Sequence, residues 1–263
     1  MTKAEIVILA RSGFNIKQIE NINTGEVKDF FNEPTNKRNL NRINEGLENK
    51  RYDVVTFWDN DYPVYLKNIW NPPIFLFFIG NFSLLEKKSL AVVGSRKITE
   101  YGKKATQYFV SNLKKYFVII SGMALGVDSV AHWNSLGNTI AVLGSGVEFC
   151  YPKSNRILYE KILDSGCIIS EYFPWEGPKK EHFPMRNRII AGLSEGVLIV
   201  EGKIKSGTLI TANYSLEFGK DVFAVPGSIF NENSEGPNFL IKNGAIPVTN
   251  PDDIIDYYNL KGV

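Results

Sequence analysis

The chain has 263 residues, a mass of 29.6 kDa, 44% hydrophobic residues and 22% charged residues. This balance is ordinary for a globular protein and excludes a disordered or fibrous chain. Lys and Arg together number 30, and Asp and Glu number 28, so the formal net charge is only +2. So small a surplus indicates no overall preference for nucleic acid, although it leaves room for a local basic cleft.

The cysteine content and the absence of targeting signals favour a cytoplasmic protein. The two cysteines, Cys150 and Cys167, are too few for a disulfide framework and suit a reducing compartment. No apolar run reaches the roughly 18 residues that a membrane helix needs, and the first residues lack the features of a signal peptide. The cysteines and the two histidines are scattered without metal-ligand spacing. We therefore expect no membrane association, no metal site and no cofactor.

Residues 1–50 are rich in Asn, Lys and Glu and carry apolar residues at helical spacing. We predict two or three short helices here, with Gly13, Gly25 and Pro34 as breakers. Such a segment makes a small helical module without a sizeable core of its own. Two buried strands are predicted next, at 52–57 and 74–80.

From Leu90 onward, short apolar strands alternate regularly with segments long enough for helices. Strands that read as continuous apolar runs are covered on both faces, and strand–helix alternation predicts right-handed parallel units. We therefore predict a doubly wound α/β domain over 51–263, with a mostly parallel, Rossmann-like sheet. The predicted strands are 90–94, 117–121, 139–143, 167–170, 196–200 and 221–225. The predicted helices are about 101–115, 126–136, 154–165, 186–193 and 208–218, with a closing helix inside 251–260.

Loops that follow strands of such a sheet are where ligands bind, because helix N-termini meet there. Gly94-Ser95-Arg96 follows the first of these strands, and Ser121-Gly122 ends the second. Gly144-Ser145-Gly146 follows the third, and Lys205-Ser206-Gly207-Thr208 opens the helix after the fifth. Glycine permits close backbone approach, free N–H groups favour anions, and Arg or Lys adds a cation. One such loop is equally explained by chain turning, but four on one edge favour phosphate binding.

A second candidate is the segment from His182 to Arg188, which follows Lys179 and Lys180 and lies near several aromatic residues. Cations that track phosphates and rings that stack on bases suit a single-stranded nucleic acid. The alternative is a solvated loop leading into a helix, with Trp175 and Phe183 as ordinary core anchors. Spacing alone leaves both open.

Signals for an enzyme are thin, and we assign no catalytic residue. Asp128 and His132 are four residues apart and share a helix face. We interpret Asp128 as a first-turn acid that favours the helix dipole, and His132 as a hydrogen-bonded structural residue. Glu171 and Glu201 both end strands at the ligand edge. They suit either general bases or groups that orient the loop cations, and we favour the second.

Taken together and in order, these stretches resemble the DNA-processing protein A family (DprA/Smf). The resemblance runs from about residue 50 to about 255, and residues 1–50 match only as a degenerate form of the helical module that precedes the core in many members. The matching stretches are YPVYLKNIWNPPIFLFFIGN (62–81), LAVVGSRKITEYG (90–102), IISGMALGVDSVAH (119–132), TIAVLGSGVEFCYPKSN (139–155), SEYFPWEGPKKEHFPMRNRIIAGLS (170–194), VLIVEGKIKSGTLITANYSLEFGKDVFAVPGSI (197–229) and GPNFLIKNGAIPVT (236–249).

The resemblance implies a cytosolic, non-catalytic protein with an extended Rossmann-like fold. It implies binding and protection of single-stranded DNA, help in loading the RecA recombinase during natural transformation, and a homodimer. The residues that it assigns to a DNA phosphate pocket are Gly94, Ser95, Arg96, Ser121, Gly122, Arg186, Asn187, Arg188, Lys205, Ser206, Gly207 and Thr208.

The chain departs from the family pattern in charge and in length. Leu125, Met185 and Phe239 stand where many members have arginine, which predicts weaker or differently shaped backbone contact. About ten residues follow Asp253, so we do not expect the C-terminal winged-helix domain of many members.

Two other functions remain open at this stage. One is a nucleotide-processing enzyme similar to the lonely-guy phosphoribohydrolases, whose loop reads PGG-x-GT. Here Lys205-Ser206-Gly207-Thr208 lacks the preceding Pro-Gly-Gly, and Glu217 lies far along the helix. The other is a module that senses a small phosphorylated ligand.

Overall fold

The computed structural model describes residues 1–23, 25 and 27–260. Within these residues, nine strands form one sheet. The strands are β1 (Asp53–Thr56), β2 (Phe75–Gly80), β3 (Ser89–Val93), β4 (Val118–Ser121), β5 (Thr139–Val142), β6 (Cys167–Ser170), β7 (Gly196–Ile199), β8 (Asp221–Ala224) and β9 (Ile246–Pro247).

The strand order across the sheet is β1-β2-β6-β5-β4-β3-β7-β8-β9. All pairs from β6 to β9 are parallel, whereas β1 pairs with β2, and β2 with β6, in antiparallel register. The predicted doubly wound, mostly parallel sheet is therefore confirmed, and the strands predicted at 52–57 and 74–80 form its antiparallel extension. The short strand β9 was not predicted, because two residues carry no readable pattern.

Helices cover both faces of the sheet. In the described residues they are α1 (Lys3–Arg11), α2 (Ile16–Glu20), α3 (Lys28–Asn32), α4 (Pro34–Glu48), α5 (Val64–Lys67), α6 (Glu100–Leu113), α7 (Val127–Asn134), α8 (Arg156–Ser165), α9 (His182–Leu193), α10 (Gly207–Glu217), α11 (Glu235–Lys242) and α12 (Asp252–Tyr257).

The core forms on both faces because successive side chains of a strand point to opposite sides. In β3, Ala91 and Val93 pack in one cluster with residues of α9, α10 and α11. Leu90 and Val92 pack on the opposite face with residues of α6, α7 and α12. Strands buried on both faces read as unbroken apolar runs, which is why the sequence pattern located them.

The N-terminal helices pack on one another and on the edge of the sheet. Val7 and Ile8 of α1, with Ile43 of α4, share a cluster with β1, β2 and β6. A separate small cluster among these helices holds Leu9 and Ile19. The segment contains four helices in its described part rather than the predicted two or three. Pro34 separates α3 from α4, as predicted for a breaker, and is itself the first residue of α4, since a first helical residue needs no N–H partner.

Proline also explains two other differences. Helix α9 begins at His182, one turn before its predicted start, with Pro184 inside its first turn. Helix α11, which was not predicted, carries Pro237 in the same place. The first-turn N–H groups have no intrahelical acceptor, so proline is tolerated there.

Among the described residues, none of the helices combines the length and the apolar character that crossing a membrane requires.

Candidate nucleic-acid interface

The strand order reverses direction between β3 and β7. The chain passes from β3 through β4 and β5 to β6 on one side, then returns to place β7 on the other side of β3. In open α/β sheets, the crevice at such a switch point is the general ligand site. The loops that flank it here are 94–99 and 200–206. Together with loops 122–126 and 143–152, they form what we call the loop surface.

The loop after β3 is rigid, and it presents cations outward. Gly94 must be glycine, because a Cβ there would lie 2.6 Å from Cγ2 of Val127. The Ser95 hydroxyl accepts the Lys97 N–H at 3.1 Å and donates to the Lys97 carbonyl at 3.1 Å. Asn233 donates to the same carbonyl at 2.9 Å. Arg96 and Lys97 are both exposed at the tip of this braced turn.

Arg96 is held by an aromatic ring. Its Cζ lies 5.3 Å from the ring centroid of Phe183, in the first turn of α9. Phe183 in turn lies 5.6 Å from Tyr151, which is exposed, and it packs so closely on Gly144 that a Cβ there would meet the ring at 2.9 Å. A guanidinium over a ring is favourably placed and keeps its planar fork of donors free for a phosphate.

The loop after β7 ends at the N-terminus of α10. Ser206 precedes the helix, but its side chain caps no N–H, and its buried Oγ has no partner among the described residues. Lys205 and Gly207 are exposed, Gly207 has no neighbour within 4 Å of its Cβ position, and Thr208 is buried. The uncapped, positively polarised first turn beside a lysine is suited to an anion.

The turn after β4 lies deeper than the sequence predicts. Ser121 is fully buried, and its hydroxyl donates to the Val92 carbonyl at 2.7 Å. Gly122 donates to Asp128 at 3.1 Å, and its carbonyl accepts from Arg186 at 2.6 Å. A Cβ on Gly122 would lie 2.6 Å from the guanidinium. Ser121 and Gly122 therefore support the loop surface from the protein interior and are not exposed on it.

Arg186 and Arg188 are interior residues, 4% and 2% exposed. Arg186 also donates to the Val142 carbonyl, so it ties the loops after β4 and β5 together. Burial lowers the pKa of Arg186 to about 10, with the Asp128 carboxylate acting in the opposite sense, and the group stays charged at neutral pH. The family resemblance assigns both arginines to the phosphate pocket, and in this structure Arg186 donates to backbone carbonyls while Arg188 pairs with Glu171.

Arg188 forms an ion pair with Glu171, in which its Nη2 donates to both carboxylate oxygens, at 2.6 and 2.7 Å. Asn187, between the two arginines, donates to the Gly207 carbonyl at 3.2 Å and so links α9 to the start of α10. These three residues position the loop surface. Glu171 therefore pairs with a buried cation of α9 and not, as the sequence predicted, with a cation of the loops.

The other acidic candidates bond to the protein itself. Glu201 is fully buried and accepts from the backbone N–H of Thr99 at 3.0 Å and from its hydroxyl, so it holds the start of α6 rather than a cation. His132 faces Thr139 at 2.7 Å. Burial, followed by the charge of Arg186, lowers its pKa to about 3, so it is neutral at physiological pH and forms no acid–base pair with Asp128. No three His, Cys, Asp or Glu side chains gather as a metal site in the described residues.

Lys97 and Asn233 were not predicted as site residues, and Phe183 was predicted only as part of the candidate segment 182–188. Lys97 adjoins Arg96 in the sequence, and that proximity was a usable signal. The pairing of Phe183 with Arg96 joins residues far apart in the chain, and no spacing predicts it. Asn233, which braces the loop after β3, had no signal at all. Leu125 and Met185, 44% and 38% exposed, add apolar surface beside these groups.

The fold and this surface define a class: a Rossmann-like protein whose switch-point crevice offers cations, a helix N-terminus and rings to an anionic ligand. The family model described as DNA recombination-mediator protein A matches residues 53–259. The chain is 43% identical to DNA processing protein DprA of Streptococcus pneumoniae over 211 residues, which are 79% of this chain and 75% of that protein.

Solved structures agree. The X-ray structure of DNA processing protein A from Streptococcus pneumoniae has a TM-score of 0.84 and 37% identity, covering 97% of this chain and 98% of that one. The structure of DNA processing protein A from Helicobacter pylori, solved for its single-stranded DNA binding mode, has a TM-score of 0.75 and 31% identity, covering 80% of this chain and 96% of that one. The chain belongs to the DprA/Smf family of DNA-processing proteins.

Proposed function

We propose that the chain binds single-stranded DNA at the loop surface. The observation that carries this proposal is that the exposed cations Arg96, Lys97 and Lys205 flank the switch point between β3 and β7, beside the uncapped start of α10. Two loops and the N-terminus of α10 thus direct cations and N–H groups at one crevice. The single-stranded DNA binding mode described for the Helicobacter pylori relative supports single-stranded DNA as the ligand.

In this proposal, phosphates and bases contact different groups. Arg96 and Lys205 take phosphates, since a charge-assisted hydrogen bond to an oxyanion is strong. Tyr151 offers an exposed ring to unpaired bases, which a duplex keeps stacked inside. Phosphate contacts carry no sequence information, so we expect little sequence preference.

We further propose that the chain is not an enzyme. Glu171 is bound by Arg188, and Glu201 is buried against Thr99, so neither acid is free to act as a general base in this geometry. The resemblance to the lonely-guy enzymes supplies no alternative, because their Pro-Gly-Gly is missing before Gly207. Incubation with purine nucleoside monophosphates, followed by a search for released base, tests this directly.

Family membership supports the rest of the proposed role. We propose that the protein protects single-stranded DNA, helps load the RecA recombinase in natural transformation or recombination, and acts as a cytoplasmic homodimer. Light scattering tests the dimer, and a RecA-loading assay on DNA coated with single-strand-binding protein tests the mediator role. Each can fail without affecting the DNA-binding proposal.

The deciding experiment is fluorescence anisotropy with a labelled oligo-dT and with its duplex, at low and moderate salt. We expect the protein to bind the single strand in preference to the duplex. The logarithm of the binding constant should fall by about 0.7 per phosphate contact for each tenfold rise in salt. Absence of binding to either form at low salt would contradict the proposal, and a thermal-shift response to a nucleotide instead would favour a small phosphorylated ligand.

A further inference from the structure

A second basic surface lies on helix α4, away from the switch point. Lys37, Arg38, Arg42 and Arg51, with the single acid Glu45, line one shallow groove along its exposed side. The helical period places Arg38 beside Arg42, since residues four apart are neighbours on a helix surface. The groove has a surplus of three positive charges, whereas the whole chain has a net charge of +2.

The groove is anchored rather than loosely attached. The Arg42 guanidinium lies over the Trp175 ring at 4.0 Å, and Trp175 stacks on Phe173 at 5.2 Å with an interplanar angle of 4°. The Tyr52 hydroxyl donates to the Arg42 carbonyl at 3.1 Å. Tyr52 directly precedes β1, so this hydrogen bond fixes α4 to the start of that strand. A stacked arginine retains its in-plane N–H donors for a phosphate.

A strip of residues joins this groove to the loop surface. Arg51, at one end of the groove, pairs with Glu148 at 3.5 Å. Glu148 lines an adjoining groove with Lys153 and Arg156, of which Arg156 is paired with Glu160 at 2.6 Å. Tyr151 lies in the same strip of chain, against Phe183 and hence beside Arg96.

We propose that single-stranded DNA extends from the loop surface along residues 148–156 into the α4 groove. This inference rests on the proposed function and adds to it a longer path for the phosphate backbone. Cations that follow one another along a track, with rings between them, are what a flexible polyanion requires. Lys87 and Lys88 are exposed at the opposite edge of the sheet, at the amino end of β3, and do not line the α4 groove.

The test compares oligo-dT of about 6 nucleotides with oligo-dT of about 20 nucleotides, lengths that bracket common site sizes. The variant carries Lys37→Glu and Arg38→Glu, both at exposed positions of α4. We expect affinity for the short oligonucleotide to stay nearly unchanged and affinity for the long one to fall about tenfold. The salt slope for the long oligonucleotide is expected to shrink by about 1.4, which is 0.7 for each lost phosphate contact.

The matched control carries Lys87→Glu and Lys88→Glu, the same charge change at the opposite edge. Equal loss in the control, equal loss at both lengths, or no loss at either length would overturn the extended path. Loss of binding to anionic lipid vesicles, with oligonucleotide binding intact, would overturn it in favour of a membrane surface. Failure of the unsubstituted protein to bind the short oligonucleotide would instead contradict the proposed function itself.

Discussion

The guanidinium of Arg96 lies over the ring of Phe183, with Cζ 5.3 Å from the ring centroid. This contact joins the loop after β3 to the first turn of α9. It holds a cation at the mouth of the switch-point crevice before any ligand arrives. A preorganised cation loses less side-chain freedom on binding, so it contributes more to affinity than a free one.

Arg96→Ala is expected to weaken binding of oligo-dT about tenfold, the effect of one charge-assisted hydrogen bond. The melting temperature should stay nearly unchanged, because Arg96 is exposed. Anisotropy and thermal unfolding measure the two effects. Lys88→Ala, at the other end of the same strand, is the control, and equal binding by Arg96→Ala and the unsubstituted protein would remove Arg96 from the site.

Lys205→Ala tests the loop before α10. Lys205 is exposed and lies next to the uncapped helix start, so its loss removes a cation without disturbing the core. We expect weaker oligonucleotide binding, a salt slope reduced by about 0.7, and an unchanged melting temperature. An unchanged salt slope would show that Lys205 contacts no phosphate.

Two glycines of the site should respond differently to alanine. At Gly122, a Cβ would lie 2.6 Å from the Arg186 guanidinium, so Gly122→Ala should displace that side chain and lower both stability and binding. At Gly207, a Cβ meets nothing within 4 Å. Gly207→Ala should leave stability equal or higher by up to about 1 kcal/mol, because alanine restricts the unfolded chain.

Oligonucleotide binding by Gly207→Ala then isolates the close approach of DNA to the backbone. We expect a loss of affinity in a fully stable protein. Binding equal to that of the unsubstituted protein would mean that no ligand atom comes near this residue. Urea unfolding of both glycine variants supplies the stability comparison.

The ion pair between Arg188 and Glu171 is expected to be structural. Glu171→Gln leaves a charge buried without its partner, which costs about 3 kcal/mol or more. Urea unfolding measures this loss in the free energy of unfolding. Glu160→Gln, which breaks the exposed pair with Arg156, should produce no measurable change, and equal effects of the two substitutions would contradict the difference in burial.

The buried His132 should make stability depend on pH. Burial, with the charge of Arg186 second, lowers its pKa in the folded protein to about 3 from 6.5. The unfolded chain therefore takes up a proton below pH 6.5 that the folded protein refuses. Stability falls as pH drops from 6.5 towards 3 and is unaffected by this group above 6.5.

His132→Gln removes that titration. Between pH 7 and pH 5, the unsubstituted protein should lose about 2 kcal/mol more than this variant. Urea unfolding at the two pH values gives the difference, in which the other titrating groups cancel. Parallel pH profiles would contradict a depressed pKa at His132.

The sheet was readable from the sequence because burial on both faces makes a strand a short apolar run. All six strands predicted between 90 and 225 exist within a few residues of their predicted ends. Helix starts were read less well where proline occupies the first turn, as at Pro34 and Pro184. Proline in a sequence suggests that a helix is interrupted. The first turn of a helix tolerates proline because its N–H groups have no intrahelical acceptor, whereas proline in a helix interior removes a hydrogen bond.

The loops of the site were also readable, since the carboxyl ends of parallel strands meet at one edge. The sequence did not show which side chains of the site are buried and which are exposed. Arg96 and Arg186 both adjoin polar residues in the sequence, yet Arg96 is exposed over Phe183 whereas Arg186 is enclosed by the carbonyls of Gly122 and Val142. Nothing local to either residue distinguishes them.

The sequence by itself determined the order of most strands and helices, the edge at which the glycine-bearing loops meet and the family, because these follow from periodicity and from motifs along the chain. The tertiary structure decided which cations face solvent, which acids they pair with and how α4 lies relative to the loop surface. Those relationships depend on residues brought together from distant parts of the chain, and their energies depend on burial, which spacing does not encode.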